Sequence, residues 1–417
     1  MRELRRDQRV QLARLGILFL LAVVWPLLAQ PDTGVVWKHL STKTGDLLPP
    51  NRGTEQTSAT VFDIDKDGIN DFVITERTAA PAVVWYRRNS HGWDHYAIEA
   101  GPLHIEAGAT FADIDGDGDL DFVAGGDYKS NEIWWWENPY PKYEPTVPWN
   151  RHVIKNTGGA KHHDLTFGDL FGDGKQELVF WNQDSHKLLM AKIPPDPRHS
   201  GPWLLTEIYS YSTGSQPEQR GKAASFKGVN EHEGLAIADV DGDGKADIVG
   251  GGRWFRNLGD GHFEARPVDP GYAFSRAAAG RLKPGKWAQI VMVIGDGEGP
   301  LMWYEWTSGA WAAHKIADIN YGHTLQLVDF NHDGNLDIFC AEQRLNGANP
   351  NSKIYLFLGD GKGHFRQTVV ATGYDSHESR MADLDGNGTL DLLVKPYNWE
   401  TPRLDIFLNL GPSRGHH

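Results

Sequence analysis

The sequence predicts an all-β chain: a seven-bladed β-propeller of four-stranded blades, closed by an N-terminal strand that completes the last blade. Three observations predict it. An acidic nine-residue loop recurs along the chain. An aromatic-led strand recurs late in each repeat, with one copy displaced to the N-terminus. No long amphipathic helix interrupts the pattern after the first thirty residues. The 47 glycines and 16 tryptophans among 417 residues suit many short strands joined by tight turns.

Taken in order, the chain opens with Arg2, Arg5, Arg6, Arg9 and Arg14 ahead of an apolar run from Leu15 to Ala29. That run is shorter than the ~20 residues a membrane-spanning helix needs. Pro26 breaks it, and Ala29 offers a small residue for cleavage before Gln30. Residues 1–30 are expected to be a signal peptide and 31–417 the propeller, in a secreted or periplasmic protein. Left uncleaved, the segment is a membrane anchor instead.

The first strand after it, Val35 to Leu40, contains Trp37. It matches the outer strands led by Trp93, Trp149, Trp203, Phe263, Trp311 and Phe365. Since the last repeat ends at Leu410 without such a strand, the N-terminal copy supplies it and removes the open edge of the ring. Within the first repeat, strands are expected at Ser58–Ile64, Phe72–Thr75, Ala82–Arg87 and Trp93–Ile98. The Pro-, Ser- and Gly-rich stretch 194–228 reads as an insertion between the third and fourth strands of blade 3. His39, His95, His152 and His314 follow the outer-strand aromatics and read as structural, as do Trp134, Trp135 and Trp136.

Composition excludes several classes. A formal charge of −14, from 41 basic and 55 acidic residues, leaves no large basic face for nucleic acid. Cys340 is the single cysteine, so an internal disulfide and a cysteine-ligated zinc or iron–sulfur site are impossible. No Gly-x-Ser-x-Gly, His-Glu-x-x-His or P-loop motif is present.

The acidic loops carry the strongest chemical signal. Side-chain oxygens at positions 1, 3, 5 and 9 can converge on one hard cation, with glycine at position 6 allowing the sharp turn; calcium accepts such a set. The copies are Asp63, Asp65, Asp67 and Asp71; Asp113, Asp115, Asp117 and Asp121; and Asp239, Asp241, Asp243 and Asp247. Later come Asp329, Asn331, Asp333 and Asp337, then Asp383, Asp385, Asn387 and Asp391. A worn copy spans Asp169 to Glu177, with Phe171 at position 3, and a seventh near Gly280 to Gln289 has no acids. First positions lie about 41 to 70 residues apart. The pattern resembles the FG-GAP/VCBS repeat family, the calcium-loop blades also found in integrin α subunits. The resemblance implies about five Ca²⁺ sites, with blades 3 and 5 empty, and the bound ions would bring the charge to about −4.

A second constellation lies upstream of the loops. Blade 3 has His162, His163 and Asp164; blade 4 has Glu231, His232 and Glu233. Blade 6 has His323 and blade 7 has His377 and Glu378, while blade 2 carries His104 and Glu106 and blade 5 carries Arg276. His163, Glu233, His323 and His377 all sit six residues before their loop, so they share one height. Six residues of strand span roughly 20 Å, which places them at the channel mouth opposite the loops. His162, His163, His232, His323 and His377 are the expected ligands of a Zn²⁺, Fe²⁺ or Mn²⁺ ion there. The segments 162–164, 231–233 and 322–324 also resemble the propeller of aldos-2-ulose (1,5-anhydrofructose) dehydratases. That resemblance implies a metal-dependent carbon–oxygen lyase acting on a carbohydrate, with Glu233 or His163 as base and Arg276 on the oxyanion. Lys161, Tyr321 and Tyr374 are the expected pocket wall. The alternative is a non-catalytic propeller that holds calcium only and binds a glycan or protein on its top face.

Overall fold

The computed structural model describes residues 34–212, 220, 222–223 and 231–412. The chain divides into Met1–Gln30 and Pro31–His417; the expected signal segment lies outside the described residues. No helix among the described residues is long and apolar enough to cross a membrane.

The second unit is a seven-bladed β-propeller. Blade 1 consists of Gln56–Phe62, Asp71–Glu76, Val83–Asn89 and Gly92–Glu99, paired in that order from axis to rim. The inner strands of blades 2 to 7 are Thr110–Ala112, His162–Gly168, Ala236–Ala238, Arg276–Gly280, Thr324–Val328 and Arg380–Ala382. All pairings are antiparallel, and in blades 1 to 4 and 6 neighbours in sequence are neighbours in the sheet. Val35–Ser41 is the outer strand of blade 7. It pairs with Asp405–Pro412 through Trp37 opposite Asn409 and Ser41 opposite Asp405, so the ring closes where the displaced aromatic strand predicts.

The middle strands explain the tryptophan content. Each sheet has a sheet on either side, so Asp71–Glu76 is buried along its whole length, whereas the rim strand Gly92–Glu99 is half-exposed. Alternation then sends neighbouring residues into different interfaces. Trp134 and Trp136 pack with Val73 and Trp85 of blade 1, while Trp135 packs with Leu178 and Phe180 of blade 3. Phe72 and Val84 of blade 1 meet Leu393 and Ile406 of blade 7, which closes the core as well as the hydrogen bonding. The rim histidines stack as structural side chains: His152 on Trp135 at 4.3 Å and His314 on Trp303 at 4.2 Å.

One expectation is corrected. The stretch 194–228 is not one insertion between the third and fourth strands of blade 3, because the outer strand Leu205–Ser210 lies inside it. Beyond that strand, Lys222–Ala223 pairs with Gly297 and Glu298 and gives the blade 5 sheet a fifth strand. The strand that Trp203 announces starts two residues after it, inside the stretch whose proline and serine content reads as insertion. Parts of the stretch, 213–219, 221 and 224–230, lie outside the described residues.

Candidate functional site

The acidic loops are built from their first and last residues. Position 1 caps the turn: Asp63 accepts from the backbone N–H of Asp67 and Gly68, at 3.1 and 3.0 Å, and Asp113, Asp169, Asp239, Asp329 and Asp383 repeat the contact to Gly118, Gly174, Gly244, Gly334 and Gly388. Those position-6 glycines have φ between +82° and +90°, the left-handed region that glycine enters without penalty. Position 9 ties the loop to the third strand. Asp121 accepts from Ile114 N–H at 3.0 Å and from Asn138 N–H at 2.8 Å. Asp247, Asp337 and Asp391 do the same.

These last acids are buried, and burial pushes their carboxyls up: Asp71 to about 7, Asp121 to about 8 and Asp391 to about 7, with the other loop acids adding like charge. Asp65 retains a buried Oδ1 and Asp119 a buried Oδ1 with no hydrogen-bond partner. Crowded, desolvated carboxylates with orphaned oxygens are the donor set a hard cation satisfies. Oxygens of Asp63, Asp65 and Asp67 lie within 4.8 Å of one another, as do those of Asp113, Asp115 and Asp117, of Asp239, Asp241 and Asp247, and of Asp383, Asp385 and Asp391. Blade 6 differs. Asn331 Nδ2 donates to Asp333 Oδ2 at 2.9 Å, and its carboxylates are not among those that converge in this way.

At the other end of the inner strands, a pocket of about 320 Å³ is lined by residues of several blades, including His163, Glu233, Asp296, His323 and His377. Ligand atoms of His163, Glu233 and His323, from blades 3, 4 and 6, lie within 4.8 Å of one another. His163 is aimed by a bulge: the register shifts between His163 and Leu165, and Asp164 takes φ +51°. Lys161, Tyr321 and Glu378, next to the other mouth residues, also have positive φ. Such strain persists where surrounding structure fixes it, and it clusters at functional sites.

His163 Nδ1 lies 3.0 Å from Asp164 Oδ2, leaving Nε2 facing Glu233 Oε1 at 3.2 Å. Burial opposes protonation of this imidazole, but the Glu233 and Asp164 carboxylates outweigh it and hold it up, at about 10. Burial pushes Glu233 upward, and Asp296 and Asp164 add to the shift. Burial, with Arg276 and His163 nearby, keeps His323 neutral, far below the usual histidine range. Glu233 Oε2 and His323 Nδ1 are buried without a hydrogen-bond partner. Two imidazoles, one already oriented by a carboxylate, and a carboxylate with a free oxygen form a donor set that fits a divalent transition ion.

The other expected ligands stand elsewhere. His162 faces away from the axis, with Nε2 2.8 Å from Lys155 Nζ and Nδ1 2.9 Å from Gly126 O. His232 is sandwiched against Tyr211, ring centroids 3.7 Å apart, with Trp181 edge-on. Strand alternation explains His162, which is adjacent to His163 on the inner strand. His232 lies in the irregular segment before Ala236–Ala238 and is fixed by its packing against Tyr211 and Trp181. His377 lines the pocket but stacks on His323 at 4.0 Å, and Lys395 Nζ lies 3.1 Å from its Nδ1. Arg276 does not line the pocket. It is held by Asp164 Oδ1 at 2.6 Å and Glu378 Oε1 at 3.3 Å, so it steadies the layer behind His163. Lys161 reaches the pocket, paired to Glu231 at 2.6 Å, whereas Tyr374 packs at the rim against His39 and Phe407. Glu106 lines the pocket as the ion-pair partner of Arg77. The sequence reading missed Asp296, whose carboxylate lies 3.8 Å from His323 Nε2, because no acidic loop or histidine marks blade 5.

Comparison with known proteins agrees with this architecture. The FG-GAP-like repeat model matches residues 63–124, 113–180 and 329–394. A chain in the crystal structure of BBS1N in complex with ARL6DN, soaked with mercury, superposes with TM-score 0.50 at 12% identity, covering 91% of this chain and 98% of that one. A chain in the lead-soaked crystal of the same complex gives TM-score 0.52 at 11% identity, with the same coverage. At these identities the likeness is one of fold. No curated protein matches the chain. Its repeated loops, its closed ring of seven blades and the three matched segments identify FG-GAP-like repeats carried on a seven-bladed β-propeller.

Proposed function

We propose that this is an exported, calcium-stapled propeller that holds a divalent transition metal at its channel mouth on His163, Glu233 and His323, and that works there on a carbohydrate as a carbon–oxygen lyase. The observation that carries the reading is the meeting of these three side chains, far apart in sequence, with ligand atoms within 4.8 Å of one another. Glu233 and His323 each also keep a buried polar atom without a partner. Bound there, a metal supplies a Lewis acid for a carbonyl oxygen.

The remaining work falls to the chain's own residues. Asp164 fixes the His163 ring, and Arg276 fixes Asp164. Gln343, Asn346, Asn398 and Tyr397 line the same pocket and offer amide and hydroxyl groups to a ligand rich in hydroxyls. With Glu233 and His163 in the donor set, the proton next to the carbonyl goes to Asp296. The C–H electron pair becomes the new C=C bond as the neighbouring C–O bond breaks, and Asp296 returns the proton to the departing hydroxide, which leaves as water. Burial raises the Asp296 carboxyl, which makes it a stronger base than an exposed aspartate. The loops serve stability, since a cation that binds only the folded chain stabilises it by mass action.

Elemental analysis of protein washed with EDTA and reloaded tests the reading. One transition ion per chain is expected, lost in His323→Ala and Glu233→Ala and retained in His232→Ala. Calcium alone, with no transition metal in the unmodified protein, overturns it and favours a non-catalytic glycan- or protein-binding propeller.

A further inference from the structure

The loops differ in what faces them from the third strand. The register that pairs Phe72 with Tyr86 sets Arg87 opposite Asp71, and the pairing of Ile248 with Phe255 sets Arg256 opposite Asp247. In blade 1, Arg87 Nε lies 2.6 Å from Asp65 Oδ2. In blade 4, Arg256 Nε lies 2.6 Å from Asp241 Oδ2 and its Nη2 3.6 Å from Asp243 Oδ2. Blade 2 reaches the same end by another route. Arg198, from the connection after the third strand of blade 3, is held by Glu137 at 2.9 Å and places Nη2 2.6 Å from Asp115 Oδ2 and 3.0 Å from Asp117 Oδ2.

Blade 3 completes the series. Lys192 pairs across from Glu177, and its Nζ sits 3.2 Å from the ring centroid of Phe171, the residue that replaces the position-3 acid. In blades 6 and 7 the partner of the position-9 acid is uncharged, because the pairings of Ile338 with Phe357 and of Leu392 with Phe407 set Leu358 opposite Asp337 and Leu408 opposite Asp391. The blade 6 carboxylates do not converge, whereas Asp383, Asp385 and Asp391 of blade 7 do, even with Asn387 in place of a fourth acid. Among the described residues, no arginine or lysine forms an ion pair with Asp383, Asp385 or Asp391. In blades 1, 2 and 4 the guanidinium takes one oxygen of the position-3 carboxylate. In blade 1 the other, Asp65 Oδ1, is left buried and unpartnered.

We propose that these basic side chains are built-in counter-ions that rank the loops by calcium affinity, with blade 7 the tight site and blades 1, 2 and 4 weaker. Lys192 makes the replacement permanent in blade 3. The inference rests on the calcium reading of the loops. A guanidinium a few ångströms from a divalent ion in a partly buried loop weakens binding by about tenfold or more. The same charge holds loops 1, 2 and 4 together when calcium is scarce, so the blade that responds to calcium is the one closed by the N-terminal strand.

Calcium titration of EDTA-stripped full chain, by calorimetry with native mass spectrometry to count ions, tests this. One tight ion and a weaker class are expected. Arg256→Leu moves one ion into the tight class, and so does Arg87→Leu, each by about tenfold or more. Asp385→Asn abolishes the tight ion. A single uniform class, unchanged by either arginine substitution, overturns the ranking and leaves the calcium reading intact. A tight ion that survives Asp385→Asn also overturns it. The absence of any bound calcium removes both.

Discussion

Asp164 holds three groups at once. Its Oδ2 takes His163 Nδ1 and accepts from Gly234 N–H at 2.7 Å, and its Oδ1 takes Arg276. The carboxylate is drawn well below its usual range by Arg276 and His163, against the opposing effect of burial, so it stays ionised. Such a partner fixes the ring and raises the basicity of the ligating nitrogen. Asp164→Asn is expected to weaken retention of a transition ion by about 10- to 100-fold in competition with a chromophoric chelator; unchanged retention contradicts this role. His232→Ala is expected to keep the metal and to cost about 2 kcal/mol in urea unfolding, because it opens a cavity against Tyr211 and Trp181. The difference between these two histidine-region substitutions shows what was legible in the sequence. A matched offset of six gives height above the loop. It assigns the side only when alternation is applied as well, which separates His163 from His162. His232 and Glu233 precede the strand Ala236–Ala238, so the pattern does not reach them. Asp296 and Lys395 carry no such mark, since they lie outside the strand segments that hold the repeated offsets.

At the scale of the element, the loop is held by protein as well as by any cation. Asp337 accepts from Phe330 N–H at 3.0 Å and from Gly359 N–H at 2.7 Å, both buried contacts. Asp337→Ala leaves two donors unsatisfied and is expected to cost about 2–4 kcal/mol. Because the carboxylates of blade 6 do not converge as in the other loops, the cost should be the same with and without EDTA in denaturant unfolding. A loss confined to calcium-containing buffer would show that the residue acts through the ion. Loops of this kind are legible because their chemistry is local: nine residues contain the cap, the glycine and the staple. Their counter-ions are less so. Arg87 and Arg256 follow from strand register, but Arg198 reaches blade 2 from a connection in blade 3, which no local pattern announces.

For the whole molecule, closure is the step on which the pocket depends. His39 Nε2 on the N-terminal strand lies 2.8 Å from Asp405 Oδ1 on the last strand. Burial works against the Asp405 carboxylate, but hydrogen bonds from His39 and Arg403 outweigh it and hold its pKa below the ordinary value. A lowered acid contributes stability that is fully present above the unfolded value near 4 and is lost as pH falls below it. Asp405→Asn is therefore expected to lower Tm at pH 7 and to flatten the loss of stability below about pH 4; an unchanged pH profile contradicts the clasp. The seven-fold architecture and its closure were legible because two independent patterns, acidic loops and rim aromatics, give the same count one strand out of step. The outer strand Leu205–Ser210 was marked by Trp203, but the proline- and serine-rich residues around it blurred its bounds.

X-ray absorption at the metal edge of the reloaded protein examines the channel mouth most directly. Two imidazole shells and carboxylate oxygen are expected around the ion, with one imidazole lost in His323→Ala and no change in His162→Gln. A first shell of oxygen alone, or one that loses an imidazole with His162 rather than His323, would contradict a centre assembled from blades 3, 4 and 6.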